Sequence, residues 1–253
     1  MRRIAAVIAA VVAGVLAPAA VISATKAPAV SEAARKQGMA EAPALATAGG
    51  VSCQIADARF IGKTQDKKTK VTTAFYEVDC DKGLGFVLQS VSDNPKPSAF
   101  NCLETSQPGA DGKPTGLACL LPGNAELLAD LTPLLQAAKI DCTVEKARSI
   151  GQTATNSFLE VLCSGSTGYI LQAGAPAVPT SPVSATNCLL YDDSGSNLKC
   201  ELGDKASRLA VIDTYAAQAA NGCTVKDKRY MLTTRDGDSY FAAACTDGKG
   251  YVY

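Results

Sequence analysis

The side chains of this chain that could do chemistry fall at recurring positions. An arginine follows a cysteine by six residues three times: Arg59 after Cys53, Arg148 after Cys142 and Arg229 after Cys223. Held at equivalent points of neighbouring units, three guanidiniums could offer a row of donors to a carboxylate, a phosphate or an anionic polymer. The alternative is that each lies along its own sheet, covers apolar surface with its stem and pairs locally. Glu77 and Glu160, each three residues before a cysteine, form the repeated acid pair. Two carboxylates brought together in a cleft can serve a hydrolase. The third copy has Ala242 at this point, so equivalent places in separate sheets account for the pair better than catalysis does. An aromatic residue, Phe86, Tyr169 or Tyr251, follows a glycine in every copy, either as sheet packing or as a stripe for ligand stacking.

Much chemistry is excluded by residue type. The chain has no histidine, so neither a Ser-His-Asp nor a Cys-His arrangement is available. It has no Cys-x-x-Cys, which removes the familiar zinc spacings and the thioredoxin-type redox motif. The glycines of "GLGF" and "GKGY" are turn residues after a cysteine, not a dinucleotide or phosphate loop. No cofactor and no metal is expected.

Ten cysteines are an even number, as full pairing requires. The N-terminus suits an oxidising destination: Arg2 and Arg3 precede an Ala/Val/Ile/Leu run to Ile22, with small residues from Ser23 to Ala27. Residues 1–27 therefore read as an export signal, or, if uncleaved, as an anchor holding the protein to the inner membrane and facing the periplasm. Without them the chain carries 21 basic and 24 acidic side chains, a net charge of −3. No basic field points to nucleic acid, and membrane contact is expected only through an uncleaved anchor. Lys67, Lys68 and Lys70 read as a solvated hairpin tip.

The elements that must position these residues are written three times. "FYEVDCDKGLGFVLQ" (75–89) returns as "FLEVLCSGSTGYILQ" (158–172) and, more faintly, as "YFAAACTDGKGYVY" (240–253). Openings at Cys53, Cys142 and Cys223 share an apolar residue at the second offset and a threonine at the eleventh. β-Branched and aromatic runs around a turn predict a three-stranded antiparallel meander per copy, with Asp236-Gly237 as a hairpin turn in the third. The first two copies continue through "NCL" (101–103 and 187–189) to Cys119 and Cys200, with Pro-rich linkers at 95–97 and 176–182.

A spacer of 23 residues then leads from Cys119 to Cys142 and from Cys200 to Cys223. The second spacer predicts a helix capped by Asp204, stopped at Asn221-Gly222, with Leu209, Ile212, Ala216 and Ala219 on one face. In the first, Leu127, Leu128, Leu131, Leu134, Leu135 and Ala138 keep similar spacing, and Pro133 should kink or split the helix. A weaker helix over 31–46 is interrupted by Gly38 and Pro43.

The fold class expected is α+β: tandem repeats of a helix plus a small antiparallel β-meander, stapled by disulfides. The organisation is 1–27 signal, 28–50 linker or weak helix, and repeats over 51–120, 121–200 and 201–253, the last truncated. Because the third copy lacks the second cysteine pair entirely, local pairing is favoured: Cys53–Cys80, Cys102–Cys119, Cys142–Cys163, Cys188–Cys200 and Cys223–Cys245. A pairing shifted by one along the chain and closed by Cys53–Cys245 stays open. The function expected is that of a non-enzymatic, periplasmic or secreted bacterial envelope protein, a disulfide-stapled repeat module for protein binding or a structural role, its partner another envelope protein or itself. The alternative is a periplasmic ligand binder or hydrolase with a carboxylate site between repeats.

Overall fold

The structure is a computed structural model that describes residues 30–109, 111–192, 197–235 and 238–253. The export signal expected over 1–27 and the hairpin turn expected at Asp236-Gly237 lie outside the described residues. The protein is a mixed α and β structure with three small antiparallel sheets and five disulfides. No helix among the described residues is long and apolar enough to cross a membrane.

The first sheet has the order β1 (Ile55–Gln65), β2 (Thr72–Cys80), β3 (Phe86–Val91), β4 (Asn94–Asn101). The second repeats that order with β5 (Val144–Gln152), β6 (Asn156–Cys163), β7 (Gly168–Gly174) and β8 (Val183–Asn187). The third has β9 (Val225–Thr233), β10 (Ser239–Cys245) and β11 (Gly250–Val252). Two sheets thus have four strands where three were expected. The extra strand β4 contains Pro95 and Pro97, read from sequence as a linker. β4 lies at the sheet edge, where proline's missing N–H breaks no ladder.

Strand pairing places the recurring residues alike. Arg59 lies opposite Glu77, Arg148 opposite Glu160, and Arg229 opposite Ala242. Each sheet also slips its register twice along the same strand pair, first at Ala56, Glu145 and Lys226 and again at Ile61, Ile150 and Met231. A one-residue bulge twists a strand without exchanging its faces further along.

A helix covers one face of each sheet. The segment expected to be an interrupted helix or linker is the longest of them, α1 (Glu32–Ala48), with Ser31 accepting the N–H of Ala34 at 3.2 Å. Gly38, Ala42 and Ala46 form its buried stripe. Gly38 is where the helix touches β1, since a Cβ there would lie 2.5 Å from the backbone nitrogen of Arg59 and 2.6 Å from the carbonyl carbon of Ala58. The small residues that weaken the helical signal are what let it pack closely, and packing carries the helix through Pro43.

Pro133 splits the first spacer helix as expected: a 3₁₀ turn (Ala129–Leu131) precedes α3 (Thr132–Ala137), with Pro133 in its first turn. Leu131, Leu134 and Leu135 are buried, whereas Leu128 lies before the split and is exposed. In the second spacer Asp204 caps α5 (Lys205–Leu209), accepting from Ser207 at 2.8 Å, and α6 (Val211–Gln218) follows. Leu209, Ile212 and Ala216 are buried; Ala219, one residue past the helix end, is exposed.

Three apolar clusters result. The first joins Ala42 and Ala46 to Tyr76, Val78, Phe86 and Leu88. The second joins Leu131, Leu134 and Leu135 to Leu159, Val161 and Leu171. The third joins Leu209 and Ile212 to Phe241 and Ala243. The "NCL" leucines cross between them: Leu103, in α2 (Cys102–Thr105) beside the first sheet, belongs to the second cluster, and Leu189, in α4 (Leu189–Asp192) beside the second sheet, belongs to the third. The asparagine of each motif accepts a backbone N–H just downstream, Asn101 from Glu104 and Asn187 from Leu189, both at 2.9 Å.

All ten cysteines pair locally and none is free. Gly38→Ala should destabilise the protein by roughly 1–3 kcal/mol, because backbone on both sides of the contact cannot yield as a side chain does. Urea denaturation of the two proteins measures it.

Candidate functional site: the bare face of the third sheet

Glu77 is fully buried on the face of the first sheet opposite α1. Its carboxylate accepts from Arg59 Nε at 2.5 Å, from the backbone N–H of Leu120 and of Leu121 at 2.8 Å each, and from Asn124 Nδ2 at 2.8 Å. Arg59 also donates through Nη2 to the carbonyl of Ala118 at 3.2 Å. The pair therefore clasps residues 118–124, the stretch carrying Cys119, down onto the sheet.

Glu160 is built the same way in the second sheet. It accepts from Arg148 Nε at 2.6 Å and from the N–H of Glu201 and of Leu202 at 2.8 Å each, while Arg148 Nη2 reaches the carbonyl of Lys199 at 2.7 Å. Each carboxylate has its lone pairs filled by fixed donors, and both are buried. Disulfide sulfurs lie close to both, at Cys102–Cys119 and Cys188–Cys200, but a bridged sulfur is not the thiolate that binds metal.

The third sheet has the arginine without the clasp. Arg229 is exposed and, among the described residues, makes no ion pair or side-chain hydrogen bond. Ala242 occupies the place of the glutamate. Around them Met231, Leu232, Tyr240 and Val252 are exposed by 43%, 47%, 41% and 60%, values that mark a sheet face left in water. A hollow of about 350 Å³ lies beside Arg229 and over Ala242, also lined by Met231, Tyr251 and Val252.

The three arginines differ in their access to water. Arg59 is sunk beneath residues 118–124, Arg148 is partly covered, and Arg229 alone stands open. The aromatics divide likewise. Phe86 is core, Tyr251 borders the hollow, and Tyr169 lines a cleft of about 650 Å³ between the second sheet, α6 and the third sheet, with Tyr215, Phe241 and Tyr253. Burial first, and then neighbouring Tyr215, pushes the Tyr169 hydroxyl pKa up.

Acids that sequence reasoning passed over gather where the spacer leaves the first sheet. Burial first, then Asp79 and Glu126, pushes the Asp130 carboxyl up to about 6, and one of its oxygens is buried without a partner. Asp79 is raised in turn by burial, Asp57 and Glu77. Nothing in their spacing signals this, because Asp79 and Asp130 meet only through folding.

Glu77→Gln should cost about 3–5 kcal/mol, since it leaves the Arg59 charge buried without its counterion. Glu160→Gln should cost less, because the Arg148 side chain is 21% exposed against 11% for Arg59 and has Glu201 3.3 Å away. Chemical denaturation ranks the two. For Asp130 the folded protein holds its proton to higher pH than the unfolded chain, so this group's contribution to stability falls as pH rises from about 4 to 6. Asp130→Asn should raise the melting temperature at pH 7 while leaving it near the parent value at pH 4. No family model, no curated protein and no solved structure matches this chain.

Proposed function

We propose that the chain is an exported, non-catalytic binding protein of a bacterial envelope, built from three related helix-plus-meander units, whose third sheet receives a protein partner. The relation between units is supported by the shared strand registers, by the helix preceding each sheet, and by the two leucines that each enter the following cluster. On this reading α1 belongs to the first unit. Five disulfides and an N-terminus of export type support a periplasmic or secreted site.

The observation that carries the binding role is the bare third face. The first two units close the corresponding face with their own chain, fastened by Glu77 and Glu160. The third offers the same face with four large apolar side chains in water, which is the mark of an interaction surface. The repeated carboxylates are consumed in these clasps, which leaves the obvious acid pair no lone pair with which to move a proton. A second reading, a small-ligand binder, is favoured by the aromatic cleft at Tyr169, whose volume falls in the range of ligand sites.

In-cell cross-linking of the tagged protein, compared with a Leu232→Asp/Tyr240→Asp variant, tests the binding role. One recurrent envelope protein should be captured by the parent and lost with the variant, while both proteins are exported in equal amount. Capture that survives the variant would remove this face as the site.

A further inference from the structure

The hollow over Ala242 has a shape and a charge that the other two sheets explain. In them an arginine of the edge strand meets a carboxylate rising from the central strand, at 2.5 Å for Arg59–Glu77 and 2.6 Å for Arg148–Glu160. In the third sheet the arginine is kept and the carboxylate is replaced by a methyl group. Asp227, the acid nearest in sequence on that face, turns Oδ1 back to the N–H of Lys228 at 2.8 Å. Lys228 itself pairs with Asp213 of α6. Among the described residues Arg229 is thus a cation without a carboxylate partner, set beside a void of about 350 Å³ that Asp227 also lines and that apolar groups border.

We propose that the partner is an extended apolar segment carrying a glutamate, whose carboxylate enters the hollow over Ala242 and pairs with Arg229. This supplies between two chains the ion pair that the first two sheets make within one, and it rests on the binding reading above. A covered guanidinium–carboxylate pair also selects the partner, because an apolar segment without the acid would bury Arg229 uncompensated.

The test uses the exported protein and two labelled peptides of alternating leucine and serine, one with a central glutamate and one with glutamine, followed by fluorescence anisotropy. The glutamate peptide should bind about tenfold more tightly, the size of one charge-assisted pair, and more weakly as salt is raised. Arg229→Met should bring it to the level of the glutamine peptide. Ala242→Glu, which restores the carboxylate within the chain, should also abolish the preference without lowering the denaturation midpoint. Equal binding of both peptides to the parent, or a preference that survives Ala242→Glu, overturns the carboxylate assignment. If that equal binding is still lost with Leu232→Asp, the face remains a protein site and only its chemistry is wrong. Binding of neither peptide, with self-association that Leu232→Asp abolishes, replaces the acidic partner by a second copy.

Discussion

A carboxylate with no access to water must find donors for its lone pairs, and the fold is arranged around two that do. Glu77 takes two backbone N–H groups, an amide and a guanidinium; Glu160 takes two backbone N–H groups and a guanidinium. The backbone donors come from the turn just after a disulfide-bonded cysteine, Cys119 or Cys200. Taking these charges out of water contributes little net stability. It defines where the returning chain must lie, because any other placement leaves an unpaired buried charge. The chain then enters the spacer from a fixed point, and the helices that cover the second and third sheets start from there.

The rest of the architecture answers a shortage of core. Each sheet is small, and a helix screens one face only, so no unit encloses much apolar volume by itself. The leucine after Cys102 and the leucine after Cys188 relieve this by packing into the cluster that follows. Disulfides spanning 12 to 27 residues restrict the unfolded chain as well, each worth about 3 kcal/mol in the chain-entropy account. The same Asn-Cys-Leu run therefore caps a turn, anchors a bridge and fills a neighbouring core. The bare outer face of the third sheet follows from the same logic, since Ala242 stands where a clasping glutamate would hold a covering segment down.

Sequence alone determined what depends on near neighbours. Apolar and β-branched runs of strand type, the Asp204 cap and the break at Pro133 all act within a few residues, so their pattern could be read along the chain; short separation favoured the local cysteine pairs, and the structure decided for them over the shifted pairing. Tertiary structure decided the remainder. Gly38 looked like a helix breaker and is a point of backbone contact, because only the position of β1 gives a missing Cβ its value. Pro95 and Pro97 looked like a linker and lie in an edge strand, because whether a missing N–H matters depends on which side has a neighbour. The repeated arginines and glutamates could be listed by position, yet their meaning came from residues 118–124 and 199–202, some 40 or more positions from the glutamates they meet. A buried charge is assigned its role by the donors folding brings to it, and those donors are backbone groups that carry no mark in the sequence.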